Sequence, residues 1–228
     1  MARTLSKLKH KKAKLLGQEV YAALKESIVT GELKANQRLI EENLAAEMGA
    51  SRTPVREAIQ KLESEDFVTK LPKGGFIVRP LTAQDIEEVF GILSVLESYA
   101  AYLTTLHLTE KILQRLAEAS QKFDDALREK DPEKLAKLNM TYHDVIYKGS
   151  GSKMLYELIY RLRDYFYRYR RVLLDLPDMA SISSREHRAV LEAMKDRDAA
   201  TVEDLVRKHI LRGGTILLKA IKEGRIEL

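Results

Sequence analysis

The chain has 228 residues, 45% of them hydrophobic, with no cysteine and 39 Lys+Arg against 34 Asp+Glu. The lack of cysteine excludes a disulfide framework and thiolate chemistry, and it suits a reducing cytoplasm. No run approaches the roughly 18 consecutive apolar residues of a membrane span, and the charged start lacks the hydrophobic region of a signal peptide, so no membrane association is expected.

The charge is unevenly placed. Residues 1–80 hold 15 Lys+Arg against 10 Asp+Glu and the remainder holds 24 of each, so the whole excess of +5 lies in the first third. This asymmetry points to a polyanion-binding N-terminal part followed by a neutral one, in a length comfortable for two domains.

Residues 1–16 read as a basic arm, with Arg3, Lys7, Lys9, Lys11, Lys12 and Lys14 and no acid. A first helix is predicted from about Gly17 to Thr30, burying Val20, Leu24 and Ile28, with Gly31 as its stop. A short second helix is expected over about Ile40–Met48, with Leu44, Ala45 and Met48 inward and Gly49 behind it. Ser51 or Thr53 can cap the third helix, and Pro54 suits its first turn. Val55, Ala58, Ile59 and Leu62 then follow i, i+3, i+4, i+7, so one face is built to be buried. The other face carries Arg52, Thr53, Arg56 and Gln60, and two arginines one turn apart form a fork-shaped donor array suited to phosphates and guanine edges. Taken alone, Arg-x-x-x-Arg is better explained by a solvated charged face. Its position after a helix, a short helix and a tight turn is helix-turn-helix order.

Phe67–Leu71 and Phe76–Arg79 are β-rich runs around Pro72-Lys73-Gly74-Gly75, a hairpin with a basic tip. Residues 17–80 thus make a winged helix, whose DNA-contacting set is Arg52, Thr53, Arg56 and Gln60 with Arg38, Lys73, Gly74 and Gly75. Glycines let the tip backbone approach a groove, and Lys73 can reach a phosphate.

From Thr82 onward everything reads as helix. Thr82 with Asp85 opens a long helix ending near His107, which is assigned a structural role, and Thr109 opens the next. Asp131-Pro132-Glu133 starts a third, ending near Lys148 before Gly149-Ser150-Gly151. Leu155–Leu174 form a basic, tyrosine-rich helix, Ser183-x-x-Glu186 is a capping box for the next, and a last helix runs over about Ala199–Ile221. The fold class is therefore mainly α: a winged helix-turn-helix with a small hairpin, then an antiparallel all-α bundle of about six helices over residues 81–228.

Three of the five histidines fall on apolar stripes of three different helices. His143 lies with Leu135, Leu138, Asn139, Tyr142 and Ile146; His187 with Val190, Leu191 and Met194; His209 with Val202, Leu205, Val206 and Ile216. Asn139 and His143 are four apart and point the same way. A lone histidine so placed is ordinarily a hydrogen-bonded core residue. Three with one amide favour convergence on a divalent metal, Zn²⁺ first, with Ni²⁺, Fe²⁺ or Mn²⁺ as the other fits, leaving coordination positions open.

Gly31-Glu32-Leu33, Leu44-Ala45-Ala46-Glu47-Met48-Gly49, Ser51-Arg52-Thr53-Pro54-Val55-Arg56-Glu57-Ala58-Ile59 and Lys61-Leu62-Glu63-Ser64-Glu65 resemble the DNA-binding domain of GntR-type bacterial transcription regulators. The resemblance implies base and phosphate contacts by Arg52 and Arg56. Two departures stand out: Asn36 replaces a usual turn glycine, and Glu42 stands where many members carry another DNA-contacting arginine. Residues 82–222 resemble the helical effector domain of the FadR subgroup. Its metal-binding members show Asp/Asn-x-x-x-His, a Glu-His pair and a last-helix His, here Asn139 with His143, Glu186-His187, and His209. This likeness implies a divalent metal at the floor of a pocket for a small carboxylate, with Arg163 and Arg170 of the basic helix as candidate contacts. Members often carry Arg four residues before the match to Glu97, where this chain has Leu93.

The expectation is a non-enzymatic, homodimeric, ligand-responsive regulator, a repressor, on a short inverted-repeat operator in double-stranded DNA. Two alternatives are a metal-dependent hydrolase tethered to DNA and an architectural DNA binder whose metal is purely structural. No general base is recognisable for the hydrolase, and neither His-Glu-x-x-His nor Glu-x-x-His occurs.

Overall fold

The computed structural model describes residues 10–80, 82–129, 131–176 and 178–226, excluding the side chains of 10–15, 132–133, 164–172 and 175. Contacts divide the chain into two compact units between residues 81 and 82.

The first unit contains α1 (His10–Val29), β1 (Arg38–Leu39), α2 (Glu41–Glu47), α3 (Arg52–Ser64), β2 (Val68–Lys70) and β3 (Phe76–Val78). The strands form an antiparallel sheet in the order β1-β3-β2, with Leu39 opposite Phe76 and Val68 opposite Val78. Val20, Leu24 and Ile28 of α1 bury against a core that includes Val55, Ala58, Ile59 and Leu62 of α3, all nearly inaccessible to solvent. At the rim, the Tyr21 hydroxyl donates to Glu65 Oε2 at 2.6 Å and Lys61 Nζ lies 3.5 Å from the Tyr21 ring centroid. Burial and this carboxylate push the Tyr21 phenol up to about 12.

Two local expectations need correction here. The basic arm assigned to residues 1–16 is shorter: residues 10–16 are the opening turns of α1, because Lys, Ala and Leu are strong helix formers and nothing breaks the run. Residues 1–9 lie outside the described residues. The strand β1 was not foreseen, since two residues carry no detectable alternation. Asn36 adopts a φ of 64°, the left-handed conformation that its usual glycine counterpart would supply.

The second unit holds α4 (Ala83–Leu106), α5 (Glu110–Glu129), α6 (Pro132–Gly149), α7 (Lys153–Asp175), α8 (Met179–Lys195) and α9 (Ala199–Lys222). Thr82 and Asp85 form a reciprocal capping box at α4, and Asp131 caps α6 by accepting from the Lys134 amide at 3.0 Å. The capping box expected at Ser183 and Glu186 is not one: α8 begins at Met179, and Ser183 is buried inside it. Helices α4 and α9 make the most extensive pairing of the unit among the described residues. Gly213 and Gly214 permit it, since a Cβ on Gly214 would sit 2.8 Å from Phe90 Cγ. Helix α6 is flanked by α4, α5 and α7, so its inward stripe lies at the centre of the bundle.

Candidate functional site

The third helix presents two unlike faces. Pro54, Val55, Ala58, Ile59 and Leu62 are buried, while Arg52, Thr53, Arg56 and Gln60 are exposed. Ser51 occupies the N-cap position with extended backbone, although its side chain makes no capping hydrogen bond. Arg38, Arg52, Arg56 and Gln60 line one hollow of about 550 Å³ together with Glu41, Glu42, Lys70 and Gly75. Gly74 and Gly75 have φ values of 87° and 85°, a conformation other residues adopt only with strain. Arg38 leans onto this tip, with Nη2 3.4 Å from the Gly74 carbonyl oxygen. Lys73 is exposed. The face therefore gathers the exposed side of α3, a sheet edge and the hairpin tip into one surface carrying Arg38, Arg52, Arg56 and Lys70.

Two acids of α2 enter the same surface. Arg56 donates through Nε and Nη2 to Glu41, and Arg52 Nη1 donates to Glu42 Oε1 at 2.8 Å. The hydrogen bond and the charge of Glu41 hold the Arg56 guanidinium still further above its ordinary range, so it is a permanent cation.

In the helical unit, α6, α8 and α9 bring His143, His187 and His209 together. One ring nitrogen from each lies within 4.8 Å of the others. His143 and His187 are buried and His209 nearly so. Their ring centroids are 5.2 Å apart for His143–His187, 5.2 Å for His143–His209 and 5.3 Å for His187–His209. Asn139 is buried one turn before His143, and its Oδ1 has no hydrogen-bond partner among the described residues. It shares a cavity of about 30 Å³ with His209 and Ser183. A buried carboxamide oxygen without a donor is costly in a core and is a ready ligand for a hard or borderline cation. Three imidazoles and this oxygen fit a divalent metal.

The cluster is held from outside. His209 Nδ1 lies 2.7 Å from Glu186 Oε2, and Arg212 also pairs with that glutamate. Glu97 Oε2 lies 3.4 Å from His143 Nδ1, with both side chains buried. Tyr142 stacks on His187 with centroids 4.0 Å apart and donates its hydroxyl to the His187 carbonyl at 2.9 Å. Burial keeps the Tyr142 phenol well above its ordinary range, so it is a neutral donor. Arg163 is buried, its guanidinium 4.5 Å from the Tyr160 ring centroid, and it is absent from the cavity lined by Asn139 and His209. The side chain of Arg170 lies outside the described residues.

Residues 16–78 match the model for bacterial regulatory proteins of the gntR family, and residues 88–212 match the FCD domain. The HTH-type transcriptional regulator McbR of Escherichia coli K12 is 33% identical over 156 residues, spanning 68% of this chain and 69% of that protein. The chain belongs to the GntR family.

The solved structure of E. coli McbR/YncC superimposes with a TM-score of 0.74 at 27% identity, covering 90% of this chain and 98% of that one. The HTH-type transcriptional repressor GlaR of E. coli K12 is 26% identical over 222 residues, covering 88% of this chain and 95% of the repressor. A GntR structure from Rhodococcus sp. RHA1 shares the fold, with a TM-score of 0.71 at 22% identity and coverage of 90% and 98%. DNA binding and transcription regulation are thus the function class of this GntR protein, and the hydrolase alternative falls away.

The resemblance names Glu97 and the Glu186-His187 pair without assigning either acid a contact: Glu97 lies on the buried stripe of α4 beside His143, and Glu186 pairs with His209 instead of capping α8. Glu41 carried no signal, because an acid in the first turn of a helix is ordinary.

Proposed function

We propose that this protein is a homodimeric, ligand-responsive repressor that reads an inverted-repeat operator through Arg52, Arg56 and Gln60. On this reading Arg38, Lys73, Gly74 and Gly75 contact backbone or minor groove, and Thr53 contacts a phosphate. Its switch is a divalent metal held by Asn139, His143, His187 and His209. The observation that carries the switch is the approach of three imidazole nitrogens within 4.8 Å of one another, with the buried Asn139 oxygen left without a hydrogen-bond partner among the described residues.

A bound divalent ion supplies Lewis acidity and a +2 charge that four neutral ligands leave uncompensated, which favours an anionic effector such as a small carboxylate. The chain's own residues do the positioning. Glu186 fixes the His209 ring through Nδ1, which would leave Nε2 to hold the ion. Tyr142 sets the His187 ring by stacking. Glu97 stands by His143, its Oε2 3.4 Å from Nδ1. The ligands come from α6, α8 and α9, so occupation of the site ties three helices together and can bias the unit between arrangements. An effector shifts DNA affinity only as far as it prefers one of them.

The exposed apolar stripe of α4 supports a dimer. Ile92, Val95, Tyr99 and Leu106 recur at helical spacing and are each about half exposed. A twofold contact along such a stripe matches the symmetry of an inverted repeat.

Thermal melting in the presence of a panel of small carboxylates tests the switch. An active carboxylate raises the melting temperature of the wild type and changes its affinity for selected DNA, and it does neither in His187→Ala. A carboxylate response that survives intact in His187→Ala would remove the metal from the pocket and favour the alternative of a purely structural ion.

A further inference from the structure

Helix α2 opens with two acids, and both carboxylates meet the arginines of α3. They do so differently. Glu41 takes one whole donor edge of Arg56: Nε lies 3.3 and 3.2 Å from its two oxygens and Nη2 lies 3.1 Å from Oε2. Glu42 instead occupies Nη1 of Arg52 at 2.8 Å, and Arg52 Nη2 is 3.7 Å from Glu41 Oε2. The Glu41 side chain is 19% exposed and that of Glu42 is 69% exposed. Glu41 is therefore seated between the two arginines, whereas Glu42 stands in solvent.

A guanidinium has two bidentate donor edges, Nε with Nη2 and Nη1 with Nη2. Glu41 grips the first edge of Arg56. The second has the spacing that matches O6 and N7 of guanine. An exposed arginine without such a grip is free to settle on the nearest phosphate, which carries no sequence information. A carboxylate at this surface also repels the phosphate backbone, which supplies almost all non-specific affinity. Only a correctly placed base contact offsets that repulsion.

We propose that Glu41 is a specificity-setting residue: it fixes the guanidinium plane of Arg56 so that the outer edge meets a guanine, and its charge suppresses binding through phosphates alone. Glu41 is a positioning residue that acts through Arg56. The proposal rests on the DNA-reading role given above to Arg56.

The test is selection of duplexes from a randomised library by the full chain, followed by sequencing, for wild type, Glu41→Gln, Glu41→Asp, Glu42→Gln and Arg56→Ala. Affinity for one random-sequence duplex is measured in parallel at several salt concentrations, and matched melting curves confirm that each variant is folded. Arg56→Ala should erase a guanine preference at one position of each half-site. Glu41→Gln should flatten that same position by about tenfold while tightening binding to the random duplex. Glu41→Asp keeps the charge but shortens the reach, so it should flatten the position without that gain. Glu42→Gln removes a charge from the same face and should tighten random binding with the guanine preference intact.

Full retention of the guanine preference in Glu41→Gln overturns the proposal. So does a preference changed at a different position, which would mean that Glu41 reads a base itself, as a carboxylate does with a cytosine amino group. An unchanged selected sequence in Arg56→Ala would instead defeat the DNA-reading assignment of Arg56 on which the proposal stands.

Discussion

On α3, exposed polar side chains project from a helix whose other face is fully buried; in the cluster of α6, α8 and α9, imidazoles are themselves part of the buried face. The first arrangement keeps its charges in water, where ion pairs such as Arg52–Glu42 contribute about 0–1 kcal/mol each and exchange readily for DNA. The second places imidazoles where packing, stacking and a carboxylate hold the rings, so that on the proposed reading function and folding draw on the same contacts. Changes at the first region should therefore alter binding and spare stability, and changes at the second should alter both.

The largest expected effect comes from Tyr142, which is 1% exposed and links α6 to His187. Tyr142→Ala should cost about 3–5 kcal/mol of stability by opening a cavity beside the cluster. Tyr142→Phe keeps the stacking and should cost about 1–2 kcal/mol through the lost hydrogen bond. Chemical denaturation measures both. A stable Tyr142→Ala protein would show that the cluster is not set by core packing.

Next comes Gly214→Ala on α9, where the new methyl group would meet Phe90 Cγ at 2.8 Å and Cβ at 2.9 Å. Overpacking of this kind should cost about 1–3 kcal/mol, against the gain of up to about 1 kcal/mol that alanine brings to an open helical site. A rise in melting temperature would mean that α4 and α9 can move apart at little cost.

At the other region, Arg56→Ala should weaken binding to the selected sequence by about 1–3 kcal/mol and leave the melting curve in place. Operator affinity that is unchanged in both Arg52→Ala and Arg56→Ala would break the assignment of α3 as the reading helix. The smallest effect belongs to Lys73→Ala at the hairpin tip. Specific and non-specific DNA should weaken alike, with the salt slope lowered by about one, as for a single phosphate contact. A sharp change in base preference at one position would contradict that role.

How far the sequence carried each region follows from the same contrast. The α3 face was legible because Val55, Ala58, Ile59 and Leu62 mark its buried side without ambiguity, which leaves Arg52, Arg56 and Gln60 outside by elimination. The convergence of His143, His187 and His209 was legible from three misfits on three apolar stripes, although periodicity alone could not say that the stripes meet. What escaped was set by tertiary context. Strand β1 exists only because Leu39 pairs with Phe76, and α8 starts four residues before Ser183, whose burial overrides its capping chemistry. The Glu41–Arg56 contact joins residues 15 apart across a turn, beyond any local pattern.

The central claim is that the buried histidines form a metal switch and are not merely core residues. Elemental analysis of purified wild type, His143→Ala and His187→Ala, paired with melting before and after chelation, tests it most directly. The wild type should carry about one divalent ion per chain and lose roughly 10 °C of melting temperature on chelation, and both variants should lose metal and chelator sensitivity. Full metal content and unchanged melting in both variants would contradict it.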